Sequence, residues 1–199
     1  MVHVGFDVDG VLADFNNAFL PWYNQRHQTA FVETDFWTHD FFTVFGVTRE
    51  QLNADIRIFV QTHHAEDIQP YPGMPAIVRR LANKYKQLSQ VTARFTPEAL
   101  HRTRLFSDRH YPGCFGAVHI SHHFEQNPRG YKGLVCQREG ITILVEDQVD
   151  YALEALDHGV QVVLINRPWN VQHEVPACVP RITIADLETT LATMLNGRH

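Results

Sequence analysis

Lysine is nearly missing from this sequence. Only Lys84, Lys86 and Lys132 occur among 199 residues, against fourteen arginines, and the formal charge is −5 with histidine neutral. Such a balance excludes a polybasic nucleic-acid coat or membrane-surface protein as the default reading. Cysteine is as sparse: Cys114, Cys136 and Cys178 are odd in number, far apart and form no C-x-x-C pair. That spacing excludes a zinc ribbon and a disulfide framework. No apolar run approaches the roughly eighteen residues that cross a bilayer. The opening Met1-Val2-His3-Val4-Gly5-Phe6-Asp7 has neither the basic start nor the apolar core of a secretory signal. The expectation is a soluble, cytoplasmic protein with no membrane partner and no polymeric nucleic acid, a homo-oligomer being left open. With 44% hydrophobic and 20% charged residues, a wholly disordered chain is excluded. Histidine is in surplus, but the doublets His63-His64 and His122-His123, with His119 nearby, show no zinc-type spacing and are expected at the surface or behind the residues that line a site.

Short apolar runs alternate with amphipathic stretches. The runs are Val2 to Val8, Leu88 to Thr92, Ala117 to Ser121, Ile141 to Val145 and Val160 to Ile165. Each has the length and continuous apolar character of a buried parallel strand. Helical patterns fall at Met74 to Lys84, Pro97 to Arg109, Val149 to His158 and Ala185 to Leu195. Pro97 after Thr96 marks a capped start, and Gly159 marks a stop. Alternation of this kind predicts a three-layer α/β domain, Rossmann-like with a parallel sheet. Residues 14–69 break the rhythm with an aromatic-rich, helical pattern. A structureless loop of that length is implausible in a compact domain. The expected organisation is a core of residues 1–13 and 70–199, with a small helical cap subdomain at 14–69 inserted after the first strand.

Acids gather where strands end. Asp7 and Asp9, in Asp7-Val8-Asp9-Gly10-Val11-Leu12, point the same way because strand side chains alternate. Glu146, Asp147 and Asp150 follow the strand ending at Val145. In open parallel sheets ligands bind beyond the carboxyl ends of the strands. Carboxylates crowded there repel unless they share a proton or a cation, which points to a hard divalent ion, Mg2+. Asp150 also suits the first turn of the next helix, where negative charge is favoured. Thr92, Ala93 and Arg94 end another strand and offer a hydroxyl and free N–H groups to an anion. Lys132, in Pro128-Arg129-Gly130-Tyr131-Lys132-Gly133, is the one lysine near a strand end; Lys84 and Lys86 lie in a polar patch.

These four segments, in this order, resemble the haloacid dehalogenase phosphatase superfamily over nearly the whole chain. Asp7 to Phe15 resembles the opening of the 5′(3′)-deoxyribonucleotidase family, as do Phe36-Trp37 and Pro72-Gly73. Asn166-Arg167-Pro168-Trp169-Asn170 is similar to a segment in bacterial relatives of that family. The family's human-type members carry Thr-Ser-Pro and Asp-Asp where this chain has Thr92-Ala93-Arg94 and Glu146-Asp147. The resemblance implies an Mg2+-dependent phosphomonoester hydrolase with Asp7 as nucleophile and Asp9 as general acid and base. It implies Mg2+ held by Asp7, the carbonyl of Asp9 and Asp147. Thr92, Ala93, Arg94 and Lys132 would bind phosphate, and Glu146 would orient Lys132 or a metal-bound water. Phe15 would stack on a nucleobase, with Phe36 and Trp37 as its partners. The implied partner is a small phosphorylated metabolite such as a nucleoside monophosphate. A sugar phosphate, or a non-catalytic phospholigand-binding module on the same fold, stands as the alternative.

Overall fold

The computed structural model describes residues 2–85, 87–94, 96–121 and 131–196. His122, His123, Arg129 and Lys86 lie outside the described residues. Six strands form one parallel sheet: β1 (Val4–Phe6), β4 (Leu88–Thr92), β5 (Ala117–Ile120), β6 (Ile143–Glu146), β7 (Gln161–Ile165) and β8 (Arg181–Ile182). Their spatial order is β5-β4-β1-β6-β7-β8. β1 is central, pairing Val4 with Leu88 on one side and with Ile143 on the other. The chain winds outward from β1 first through β4 and β5, then through β6 and β7. The direction reverses at β1, which is where an open α/β sheet leaves a crevice.

Alternation of side chains makes this a three-layer, Rossmann-like α/β fold. Val4, Phe6, Ile143, Val145, Val163 and Ile165 face one apolar layer, under α4 (Met74–Lys84) and α8 (Leu187–Asn196). Their neighbours Leu144, Val162 and Leu164 face the opposite layer, under α6 (Lys132–Arg138) and α7 (Val149–Asp157). A strand covered on both faces needs an unbroken apolar run, which is what these segments carry. α4 buries Met74, Ile77, Val78 and Leu81, one stripe at helical spacing. α5 (Pro97–His110) starts where Thr96 Oγ1 accepts from Ala99 N at 3.1 Å.

Between β2 (Ala13–Asp14) and β3 (Gln69–Pro70), which pair antiparallel, the chain is helical: α1 (Phe15–His27), α2 (Phe41–Phe45) and α3 (Arg49–Gln61). These helices enclose a second core of Phe19, Tyr23, Phe36, Phe45 and Phe59. The sequence pattern shows neither two-residue strand, nor α6, nor β8. Among the described residues no helix is long and apolar enough to cross a membrane. All three cysteines are free, Cys114 and Cys136 buried and Cys178 exposed.

Candidate active site

Three adjacent strands, β4, β1 and β6, bring their carboxyl ends to one point. Asp7 follows β1 and is buried; its Oδ1 accepts from Val8 N at 2.7 Å. Lys132, the first residue of α6, is 1% exposed and reaches across the sheet. Its Nζ lies 2.8 Å from Asp7 Oδ2 and 2.9 Å from Glu146 Oε2, and 4.3 Å from the Tyr151 ring centroid. Burial opposes the ammonium charge, but Asp7 and Glu146 outweigh it and hold Lys132 above its ordinary range. Glu146 uses its other oxygen, Oε1, to accept from Gln148 N at 3.1 Å. It is therefore engaged on both sides and holds Lys132 in place.

Asp147 is arranged differently. Its main-chain oxygen accepts from Asn170 Nδ2 at 2.6 Å and its Oδ2 from Trp169 Nε1 at 2.8 Å. Its Oδ1 is buried and accepts no hydrogen bond. The carboxylate rests against Gly10, where an added Cβ would stand 2.3 Å from Asp147 Oδ2. Gly10 also has φ +81°, so glycine is needed twice over, for backbone and for space. Burial, then Glu146, then Asp7 push the Asp147 carboxyl well above its usual range. Burial and Glu146 push Asp7 up to about 7, in spite of Lys132.

Ligand oxygens of Asp7, Glu146 and Asp147 lie within 4.8 Å of one another, the one such cluster among the described residues. Two desolvated carboxyl groups driven toward protonation, one with an unpaired oxygen, form a donor set suited to a hard divalent cation. The residues present fit the ion that the acidic pattern suggests.

Asp9 and Arg94 form the other half of the site. The Arg94 guanidinium grips the Asp9 carboxylate with Nε at 2.8 Å and with Nη2. It also donates from Nη1 to Thr103 Oγ1 at 3.0 Å. The sequence pattern has Asp9 beside a carboxylate and Arg94 facing phosphate; here the two hold each other. Thr92, 1% exposed, accepts at Oγ1 from Arg94 N at 3.1 Å, which ties the loop containing Ala93 to the end of β4. Asp150 is exposed in the first turn of α7 and outside the three-carboxylate cluster.

A narrow cavity of about 60 Å³ connects the site to the helical insert. Asp9, Gly10, Asp147 and Gln148 line it from the sheet side, and Phe15, Asn16, His39 and Phe41 from the insert. Phe15 is half-buried, stacked on Phe19 at 5.2 Å. Phe36 and Trp37 do not join it. Phe36 is fully buried within the insert, against Phe31, Phe41 and Phe45, and Trp37 is 55% exposed on its outside. An aromatic pair on an irregular segment sends one ring inward and one out, and it is Phe41 that lines the cavity with Phe15. The sequence pattern gives no site role to Tyr151, and none to Trp169, although Trp169 lies in the family-like segment Asn166 to Asn170. A larger groove, about 450 Å³ near Gln137, Thr142 and Gln161, lies at the opposite ends of the strands and offers no carboxylate.

Residues 1–124 match the family model described as "5′ nucleotidase, deoxy (Pyrimidine), cytosolic type C protein". The chain belongs to that family. This nucleotidase-family protein is accordingly a phosphatase of the haloacid dehalogenase superfamily. No curated protein matches its sequence. Among solved structures it is similar to a haloacid dehalogenase-like hydrolase from Streptococcus pneumoniae, with TM-score 0.67 and 17% identity over 97% of this chain and 98% of that one. It is similar to a haloacid dehalogenase family hydrolase from Deinococcus radiodurans, solved with bound phosphate and sodium (TM-score 0.62, 15% identity, 96% and 95% covered). It is also similar to protein tyrosine kinase A of Mycobacterium tuberculosis (TM-score 0.70, 15% identity, 94% and 96% covered). At these identities the likeness establishes the fold; a hydrolase and a kinase sharing it show that the fold does not carry the activity.

Proposed function

We propose that this phosphatase hydrolyses nucleoside monophosphates in the cytoplasm through an aspartyl-phosphate, with a divalent ion, Mg2+, as cofactor. The observation that carries the reading is the buried Asp7–Lys132–Asp147 centre, with Asp147 Oδ1 unpaired, beneath an aromatic wall of Phe15 and Phe41. Asp7, Asp147 and the carbonyl of Asp9 would hold the ion, since Glu146 is already engaged by Lys132 and Gln148. Once bound, the ion supplies positive charge that offsets the carboxylates and the phosphoryl oxygens.

In the first step an Asp7 oxygen attacks phosphorus, the bond to the leaving oxygen breaks, and Asp9 gives that oxygen a proton. In the second, Asp9 takes a proton from water, whose oxygen attacks phosphorus and releases Asp7 and inorganic phosphate. Lys132 offers a fixed point charge to one phosphoryl oxygen, and Thr92 with the N–H groups of Ala93 and Arg94 offers hydrogen bonds to others. A bound phosphate competes for the Arg94 guanidinium, and its arrival frees Asp9 for proton transfer. The cavity of about 60 Å³ is far below the ~300 Å³ of an ordinary ligand pocket. Residues 14–69 therefore act as a cap that opens at β2 and β3 to admit the substrate.

A panel of ribo- and deoxyribonucleoside monophosphates and sugar phosphates tests this, with the pyrimidine deoxynucleotides named in the family's description among the first. Turnover is expected to require Mg2+, to disappear in EDTA and to fall more than 10³-fold in Asp7→Asn. Equal turnover of sugar phosphates would assign the cap a different leaving group. An absence of any substrate would support the binding-module alternative.

A further inference from the structure

The segment Asn166-Arg167-Pro168-Trp169-Asn170 grips both loops that carry the carboxylates. Arg167 Nε donates to the Gly10 carbonyl at 2.7 Å, Asn170 Nδ2 to the Asp147 carbonyl, and Trp169 Nε1 to Asp147 Oδ2. The segment is itself braced by Arg181, whose Nη1 donates to Asn170 Oδ1 at 2.9 Å.

Trp169 faces two ways. Its N–H points at the site, while its ring, 3% exposed, belongs to the apolar core of the cap, edge-on to Phe41 at 5.4 Å. Within that core it is the one buried residue, among those described, from beyond residue 68. A buried indole N–H requires an acceptor, and the acceptor here is Asp147. The ring is fixed by cap packing, so the carboxylate it holds is fixed through the cap. One Asp147 oxygen is thereby engaged, and the buried, unpaired Oδ1 is left for another partner.

We propose that Trp169 is a positioning residue that couples the seating of the cap to divalent-ion binding at Asp147. This rests on the reading of Asp147 as a ligand. Moving the cap away strips Phe41 from the indole and loosens the Asp147 carboxylate, so the ion binds more weakly to the open form. By linkage, a bound ion favours the closed form to the same degree.

The test is ion binding by the full chain, measured by Mg2+ calorimetry and by the free-ion EPR signal of Mn2+. Trp169→Phe keeps a ring beside Phe41 and deletes the donor; its Kd is expected to rise about tenfold, as for other residues that orient a metal ligand. Phe41→Ala brings no polar atom near the ion, yet its Kd is expected to rise about threefold in the parent and not at all in Trp169→Phe. In a chain whose only tryptophan is Trp169, Mg2+ is expected to shift the indole emission with the calorimetric midpoint. This measurement and Phe41→Ala read the coupling with Trp169 intact. An unchanged Kd in Trp169→Phe, additive effects in the double variant, or an unmoved emission would each overturn the coupling alone. A parent chain that binds no ion would overturn the ligand reading as well.

Discussion

Single residues in this site are held by what surrounds them more than by their own chain segment. Lys132 stays charged while 1% exposed because Asp7 and Glu146 flank it, and it would not stay so beside either apolar layer of the sheet. Its position depends on Gly133. The N–H groups of Gly133 and Leu134 donate to Glu154 on α7, at 2.6 and 3.3 Å, and cap the start of α6 from outside. A Cβ on Gly133 would lie 2.6 Å from Ala155 Cα and 2.8 Å from Glu154 O, both main-chain atoms. Gly133→Ala is expected to destabilise the protein by about 1–3 kcal/mol, because the backbone must give way. It is also expected to lower kcat by displacing Lys132. Urea unfolding and steady-state rates check the two effects; unchanged stability would mean that α6 and α7 separate freely.

Asp7, Asp9, Lys132 and Asp147 are legible in the sequence because charged groups at the ends of apolar strands are costly unless they meet a ligand or one another. Trp169 and Tyr151 are not. Each acts through a contact with a residue that the sheet brings beside it, and an aromatic at its sequence position reads equally well as core. Phe36 and Trp37 show the converse: a family-like pair whose two rings part company inside a folded unit.

At the scale of elements, legibility follows length and local capping. α4, α5 and α7 match their sequence patterns within a residue or two, since a full apolar stripe and local end signals define each one. α6 has seven residues and no side-chain cap of its own, Glu154 being supplied from α7. β2, β3 and β8 have two residues each, fewer than any pattern can mark. The insert helix α3 carries its own signal. Thr48 Oγ1 accepts from Gln51 N at 3.2 Å, while Thr48 N donates to Gln51 Oε1 at 2.8 Å. Thr48→Ala is expected to cost about 1 kcal/mol of stability, read from urea unfolding by circular dichroism. A loss confined to a separate early transition would mean that the cap unfolds on its own.

At the scale of the whole molecule, the strand order makes one site from distant segments, since β4 and β6 flank β1 although they lie more than eighty and more than 130 residues from it in sequence. The far ends of the same strands carry a titratable group of a different kind. His3 Nε2 lies 2.8 Å from Ser89 Oγ, and burial and the neighbouring His119 lower its pKa in spite of Glu139. The unfolded chain, with an ordinary imidazole, takes up the proton first as pH falls through about 6.5. The stability His3 contributes is complete above that range and is lost on acidification. Between about pH 7.5 and 5.5 the melting temperature of the parent is expected to fall more steeply than that of His3→Gln. Parallel curves would show that His3 stays neutral in both states or in neither.

The layers follow from the order of amino acids alone, since apolar runs of strand length demand a covered parallel sheet, and the acids at their ends mark where carboxylates gather. Local pattern carries that information because burial and charge are properties of each residue. Which acids meet, which oxygen stays unpaired, and which aromatics face the cavity come from the folded chain. Those depend on strand order and on how the helical insert packs, which arise from contacts between segments far apart in the chain. The scarcity of lysine points to Lys132 before any fold is known; the fold decides that Asp7 and Glu146 are what keep it charged.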